Sequence, residues 1–83
     1  MIEIYGNQTC PFCLRAKRLA ETYNLKYEWL DTDMPENLST MKARQPSATT
    51  IPQIWWYGRY VGGYDDFASE IQNTAGGFGE GKL

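Results

Sequence analysis

Ile2-Glu3-Ile4-Tyr5-Gly6-Asn7-Gln8-Thr9-Cys10-Pro11-Phe12-Cys13 runs from a short apolar strand (Ile2 to Tyr5), through a polar loop, into the first turn of an amphipathic helical pattern, and it carries both cysteines of the 83-residue chain. Thr9 or Cys10 stands near the N-cap and Pro11 at the first helical position, where a missing N–H costs nothing. A thiol at a helix N-terminus faces unpaired backbone N–H groups and the positive end of the macrodipole, which favour the anionic sulfur that attacks disulfides. The second cysteine, three residues on, falls on the same face one turn deeper. The two sulfurs can then open and close a disulfide with little backbone movement. Cys10 and Cys13 are therefore the candidate redox pair, with Cys13, on the apolar face, as the less exposed thiol. The plain alternative is a pair of buried thiols acting as small hydrophobes.

Working outward, the helix pattern continues through Ala16, Leu19, Ala20 and Tyr23, which with Phe12 and Cys13 recur at spacings of three and four, while Arg15, Lys17, Arg18, Glu21 and Thr22 take the other side. This predicts a core-facing helix that ends near Asn24. Tyr27 to Asp31 reads as a second strand, and a strand, helix, strand order predicts a parallel crossover. Asp33-Met34-Pro35-Glu36 opens a weaker helix with Leu38 and Met41 on its apolar side, stopping before Pro46. Gln53 to Tyr57 and Arg59 to Gly62, separated by Gly58, predict an antiparallel hairpin. Tyr64 to Asn73 predicts a short closing helix with two aspartates in its first turn and Phe67, Ala68 and Ile71 toward the core. Residues 74–83 hold too many glycines for a regular element and are expected to form a flexible tail. The expected folded unit is thus residues 1–73.

Composition narrows the chemistry. At 83 residues and 42% hydrophobic, the chain suits one small core. A disulfide between cysteines three apart would close too short a loop to staple it, which assigns the thiols to chemistry. There is no histidine, so Cys–His nucleophile pairs and histidine zinc sites are excluded, and two cysteines alone do not complete a four-coordinate site. No metal is expected. A net charge of -2 opposes phosphate-backbone binding, so Trp29, Trp55, Trp56 and Tyr57 read as strand faces rather than a base-stacking platform. No run of about 18 apolar residues or basic leader is present. The expectation is a cytoplasmic monomer engaging neither membrane nor nucleic acid.

The β-α-β, α, β-hairpin, α order with C-x-x-C at the first helix is the thioredoxin-like arrangement. Within it, Cys10-Pro11-Phe12-Cys13, Thr50-Ile51-Pro52 before a strand, and Gly62-Gly63-Tyr64-Asp65-Asp66 before the last helix resemble the dithiol glutaredoxins over about residues 1–73. The resemblance implies an α/β thioredoxin-like (glutaredoxin) fold, β-α-β-α-β-β-α, with a four-stranded mixed sheet flanked by helices. It also implies a glutathione-dependent thiol–disulfide oxidoreductase. Cys10 would be the nucleophile and Cys13 the resolving thiol, with Pro11, Phe12 and Pro52 in support. Pro52 looks like the family's cis-proline, which would bring the Ile51 backbone beside Cys10. Thr50, Ile51, Pro52, Gly63, Tyr64, Asp65 and Asp66 would hold glutathione, the thiol co-substrate, along a backbone edge and a helix N-terminus. Disulfide-containing proteins would be the clients, a ribonucleotide reductase among them.

Two residues depart from the family pattern. Asn7 stands where a Lys or Arg is usual, leaving Arg44 or Gln45 as replacements for contact with the glycyl carboxylate of glutathione, and Phe12 replaces the common tyrosine. Two other readings share the motif. A redoxin-like hydrogen donor reduced by a flavoprotein reductase lacks support because Thr9, not Trp, precedes the first cysteine. A [2Fe–2S] carrier bridging two chains through Cys10 is opposed by Pro11. The chain's shortness suits a phage-encoded member.

Overall fold

Strand β1 (Ile2–Gly6) lies inside a four-stranded sheet of order β2-β1-β3-β4, in a computed structural model that describes residues 1–73. Its neighbours are β2 (Tyr27–Asp31), parallel to it with Ile4 opposite Trp29, and β3 (Gln53–Trp56), antiparallel with Ile4 opposite Ile54. β4 (Arg59–Gly62) pairs antiparallel with β3. Helices α1 (Pro11–Thr22), α2 (Pro35–Arg44) and α3 (Tyr64–Ile71) complete the expected β-α-β-α-β-β-α order. The expected tail, 74–83, lies outside the described residues.

Strand alternation divides the core into two layers. Ile2, Ile4 and Ile54 point to one face and meet Ala16 and Ala20 of α1 and Phe67 and Ile71 of α3, all of them buried. Tyr5 and Trp55 point to the other and meet Met41 of α2 and Ala48. The rings of Tyr5 and Trp55 pack edge to face with centroids 5.3 Å apart. Burying each large apolar side chain contributes about 1.5–3 kcal/mol, so the first layer supplies most of the cohesion.

The hairpin turn explains where β3 ends. Tyr57 and Gly58 have φ of 51° and 90°, the left-handed pair that a two-residue turn needs, so the strand stops at Trp56 and not at Tyr57. At the far end of the hairpin, Ile54 faces Gly62 while Trp55 faces Tyr60, an irregularity that leaves Val61 as an extra residue in β4. This bend brings Gly62 and Gly63 to the start of α3.

Several helix expectations need correction. α1 ends at Thr22, two residues early, because Asn24 takes a left-handed φ of 58° and the Leu25 N–H turns back to the Ala20 carbonyl. Phe12 and Tyr23, expected in the core, are exposed by 49% and 39%. They lie at the two ends of the helix, beyond the reach of the sheet. Leu38 of α2 is likewise exposed, leaving Met41 as its buried anchor. The α-helical part of α3 ends at Ile71, and Gln72 and Asn73 continue it as a π-helical turn, so the closing helix reaches Asn73 as expected.

Candidate active site

The loop between β1 and α1 is shaped by a residue that the sequence reading treated as a departure. Asn7 Oδ1 accepts from the Thr9 N–H at 3.0 Å and from the Thr9 hydroxyl at 2.9 Å, an Asx turn that delivers Cys10 to the helix start. Cys10 is the N-cap, in extended backbone at φ −94° and ψ 115°. Its Sγ takes the place of a capping oxygen and accepts from the Cys13 N–H at 3.3 Å. Both cysteines are free thiols, Cys10 half-buried and Cys13 buried.

Cys13 sits in a tight seat. A Cβ on Gly6 would come within 2.6 Å of Cys13 Sγ and 2.9 Å of its Cβ, so only a residue without a side chain lets the helix pack this close to β1. Burial pushes the Cys13 thiol up to about 12, and its hydrogen bond with the Cys10 sulfur adds to the shift. Cys13 therefore keeps its proton across the physiological range. The two sulfurs of one helical turn are chemically unequal.

Across from α1, the Ile51-Pro52 peptide bond is cis, as expected. Cys10 Sγ lies 3.7 Å from the Ile51 carbonyl oxygen, to which the thiol donates. The loop is held from below. Gln53, buried to 5% exposure, donates through Nε2 to the Thr50 carbonyl at 2.9 Å and accepts at Oε1 from the Tyr60 hydroxyl at 2.5 Å. A buried carboxamide satisfied on both sides fixes the segment that faces Cys10.

An open cleft of about 170 Å³ runs along this loop, lined by Phe12, Thr50, Ile51, Pro52, Gly63, Tyr64 and Asp65. Phe12 and Tyr64 form adjoining walls, with ring centroids 6.0 Å apart. α3 starts at the cleft with Gly63 as its N-cap and no side-chain cap, so its first N–H groups have no intrahelical partner. Asp66, expected with this set, is not among the lining residues. Its carboxylate is tucked against Gly62, whose φ of 125° and proximity to that carboxylate leave no room for a side chain. Neither candidate replacement for a cation at Asn7 lines the cleft. Arg44 is engaged on the α2 face, where Nη1 donates to Glu3 Oε1 at 3.0 Å and to the Tyr5 hydroxyl at 3.2 Å, and its guanidinium lies 4.2 Å from the Trp55 ring centroid. Gln45 Oε1 accepts from the Ser47 hydroxyl.

Sequence reasoning missed Gly6 and Gln53. Gly6 read as loop because its role depends on a helix seven residues away. For Gln53, a polar residue opening an apolar strand directly after Pro52 was the available signal.

Comparison with known proteins agrees with this geometry. Residues 2–61 match the glutaredoxin family model. The chain belongs to the glutaredoxin family. It is 37% identical over 65 residues to a glutaredoxin of Pseudomonas aeruginosa, covering 78% of this chain and 77% of that one. It is 36% identical over 80 residues to glutaredoxin 1 of Escherichia coli, covering 86% and 92%. The structure of reduced Escherichia coli glutaredoxin superposes with a TM-score of 0.75 at 29% identity, covering 88% of this chain and 94% of that one. The chain is accordingly a thiol–disulfide oxidoreductase of thioredoxin-like fold, in a family that uses glutathione as reductant. No helix among the described residues is long and apolar enough to cross a membrane.

Proposed function

We propose that this glutaredoxin is a glutathione-dependent reductant of protein disulfides and glutathione mixed disulfides, with Cys10 as nucleophile and Cys13 as resolving thiol. The observation that carries this reading is the contrast between the two sulfurs. Cys10 caps the helix at the mouth of the cleft, and Cys13 is sealed behind Gly6 and keeps its proton. Cys10 Sγ attacks one sulfur of the substrate disulfide, forming a mixed disulfide and releasing the other sulfur as a thiol. Cys13 then attacks Cys10 Sγ, giving up its proton, closing the Cys10–Cys13 disulfide and releasing the second thiol. Two electrons and two protons pass from the dithiol to the substrate, and two glutathione molecules restore the dithiol as they become glutathione disulfide.

The chemistry of the cleft lining supports a tripeptide ligand. Thr50, Ile51 and Pro52 offer it a backbone edge, with the rings of Phe12 and Tyr64 walling the cleft. The Tyr64 and Asp65 N–H groups beside Gly63 face its γ-glutamyl carboxylate. Asp65 or Asp66 then meets its ammonium group. The clients are disulfide-containing proteins, a ribonucleotide reductase among them, met by a cytoplasmic monomer.

Turnover of hydroxyethyl disulfide with glutathione and glutathione reductase tests this, run beside the same substrate with thioredoxin reductase. Cys10→Ser is expected to abolish turnover, whereas Cys13→Ser retains exchange with the glutathione mixed disulfide. Fast turnover only with thioredoxin reductase refutes the glutathione reading.

A further inference from the structure

Beside the glutathione cleft lies a second depression of about 350 Å³, between α1 and the start of α3, lined by Arg15, Arg18, Leu19, Thr22 and Tyr64. Tyr64 lines both, and the Arg15 guanidinium sits 5.1 Å from the Phe12 ring centroid, so the two depressions share a rim. We infer that this groove docks an acidic, extended segment flanking the disulfide of the client protein. The inference deepens the function proposed above and rests on it.

Charge is the first support. α1 carries Arg15, Lys17 and Arg18 against one carboxylate, Glu21, in a chain whose net charge is -2. Glu21 accepts from the Tyr27 hydroxyl at 2.6 Å. Among the described residues the ion pairs join Arg44 to Glu3 and Arg59 to Glu70, and none neutralises α1. These cations are also not placed to offset the helix dipole, since the last turn of α1 has no basic residue. Polarity along the site is the second. The rim runs from two arginines on the α1 side to Asp65 at the start of α3, so an acidic flank is drawn toward α1 and repelled by the Asp65 carboxylate. Leu19 and Tyr64 supply an apolar floor between them, which suits an extended peptide of mixed character more than a small anion.

The test uses three peptides that share one intramolecular disulfide and differ in the flanking residues: glutamate, glutamine or lysine. With glutathione and glutathione reductase at about 20 mM salt, kcat/KM for the glutamate peptide is expected to exceed that of the glutamine peptide about tenfold, and the gap should close near 0.5 M salt. In R15Q/R18Q the preference should vanish, and in R15E/R18E it should pass to the lysine peptide. Equal rates for glutamate and glutamine peptides, or a preference untouched by both double variants, overturns the groove. If hydroxyethyl disulfide and all three peptides fail to turn over, the glutathione reading falls, and the groove is judged by binding alone. For that, amide shifts are followed as serine-for-cysteine versions of the peptides are added to Cys10→Ser protein. Shifts at Arg15, Arg18 and Leu19 with the glutamate peptide alone support the groove, and their absence refutes it.

Discussion

The two faces of the sheet are built on different terms. On the face covered by α1 and α3, Ile2, Ile4, Ile54, Phe67 and Ile71 interlock with the alanines of α1, and the indole nitrogen of Trp29, buried beside them, has no hydrogen-bond partner among the described residues. On the α2 face, the buried Tyr5, Met41, Ala48 and Trp55 are bordered by polar links, Arg44 to Glu3 and Tyr5 and Tyr60 to Gln53 to Thr50. The helices that bound the reactive cleft therefore rest on the plain apolar layer, while the hydrogen-bonded layer behind the sheet holds the loop that faces Cys10. Rigidity for the sulfur and orientation for the loop come from separate halves of a very small core.

The largest expected effect separates the halves directly. Phe67→Ala should destabilise the protein by about 3–5 kcal/mol and Met41→Ala by about 2–3 kcal/mol in denaturant unfolding, because Phe67 is fully enclosed and Met41 anchors a looser helix. Equal losses would break the comparison. Next comes Gly6→Ala, which forces β1 and α1 apart where they touch and should cost about 1–3 kcal/mol. The same variant should raise the rate at which iodoacetamide reaches Cys13, a readout that simple destabilisation of the α2 face in Met41→Ala would not reproduce. The smallest effect belongs to the polar border. Arg44→Met removes a partly exposed ion pair but leaves a stem to cover Trp55, so stability should fall by no more than about 1 kcal/mol, and less at high salt. A larger loss would show that the α2 face depends on its charges rather than on Met41 and Trp55.

Much of this was legible from short-range signals. Each strand of the parallel pair, the hairpin around Gly58 and the cap at Cys10 is specified by residues within a few positions of one another. Cys10-Pro11-Phe12-Cys13, Thr50-Ile51-Pro52 and Gly62-Gly63 pointed to three loops that the fold brings to one cleft. What could not be read depends on partners distant in sequence. The spacing of Phe12 and Tyr23 matches the buried face of α1, yet whether such positions are covered depends on where the sheet stops. Arg44 meets Glu3 across 41 residues, and nothing near either residue announces the pair. Asn7 appeared to be a missing charge, and its use as the brace of the cysteine loop follows from a backbone turn that composition does not reveal.

The bare backbone at position 6 also decides how the molecule answers an outside reagent. With one sulfur at the surface and the other shut in against a strand, the native dithiol offers a bulky alkylating label a single target and releases the second only when the first helix lifts away. A count of labelled thiols thus becomes a built-in gauge of whether β1 and α1 are still closed together.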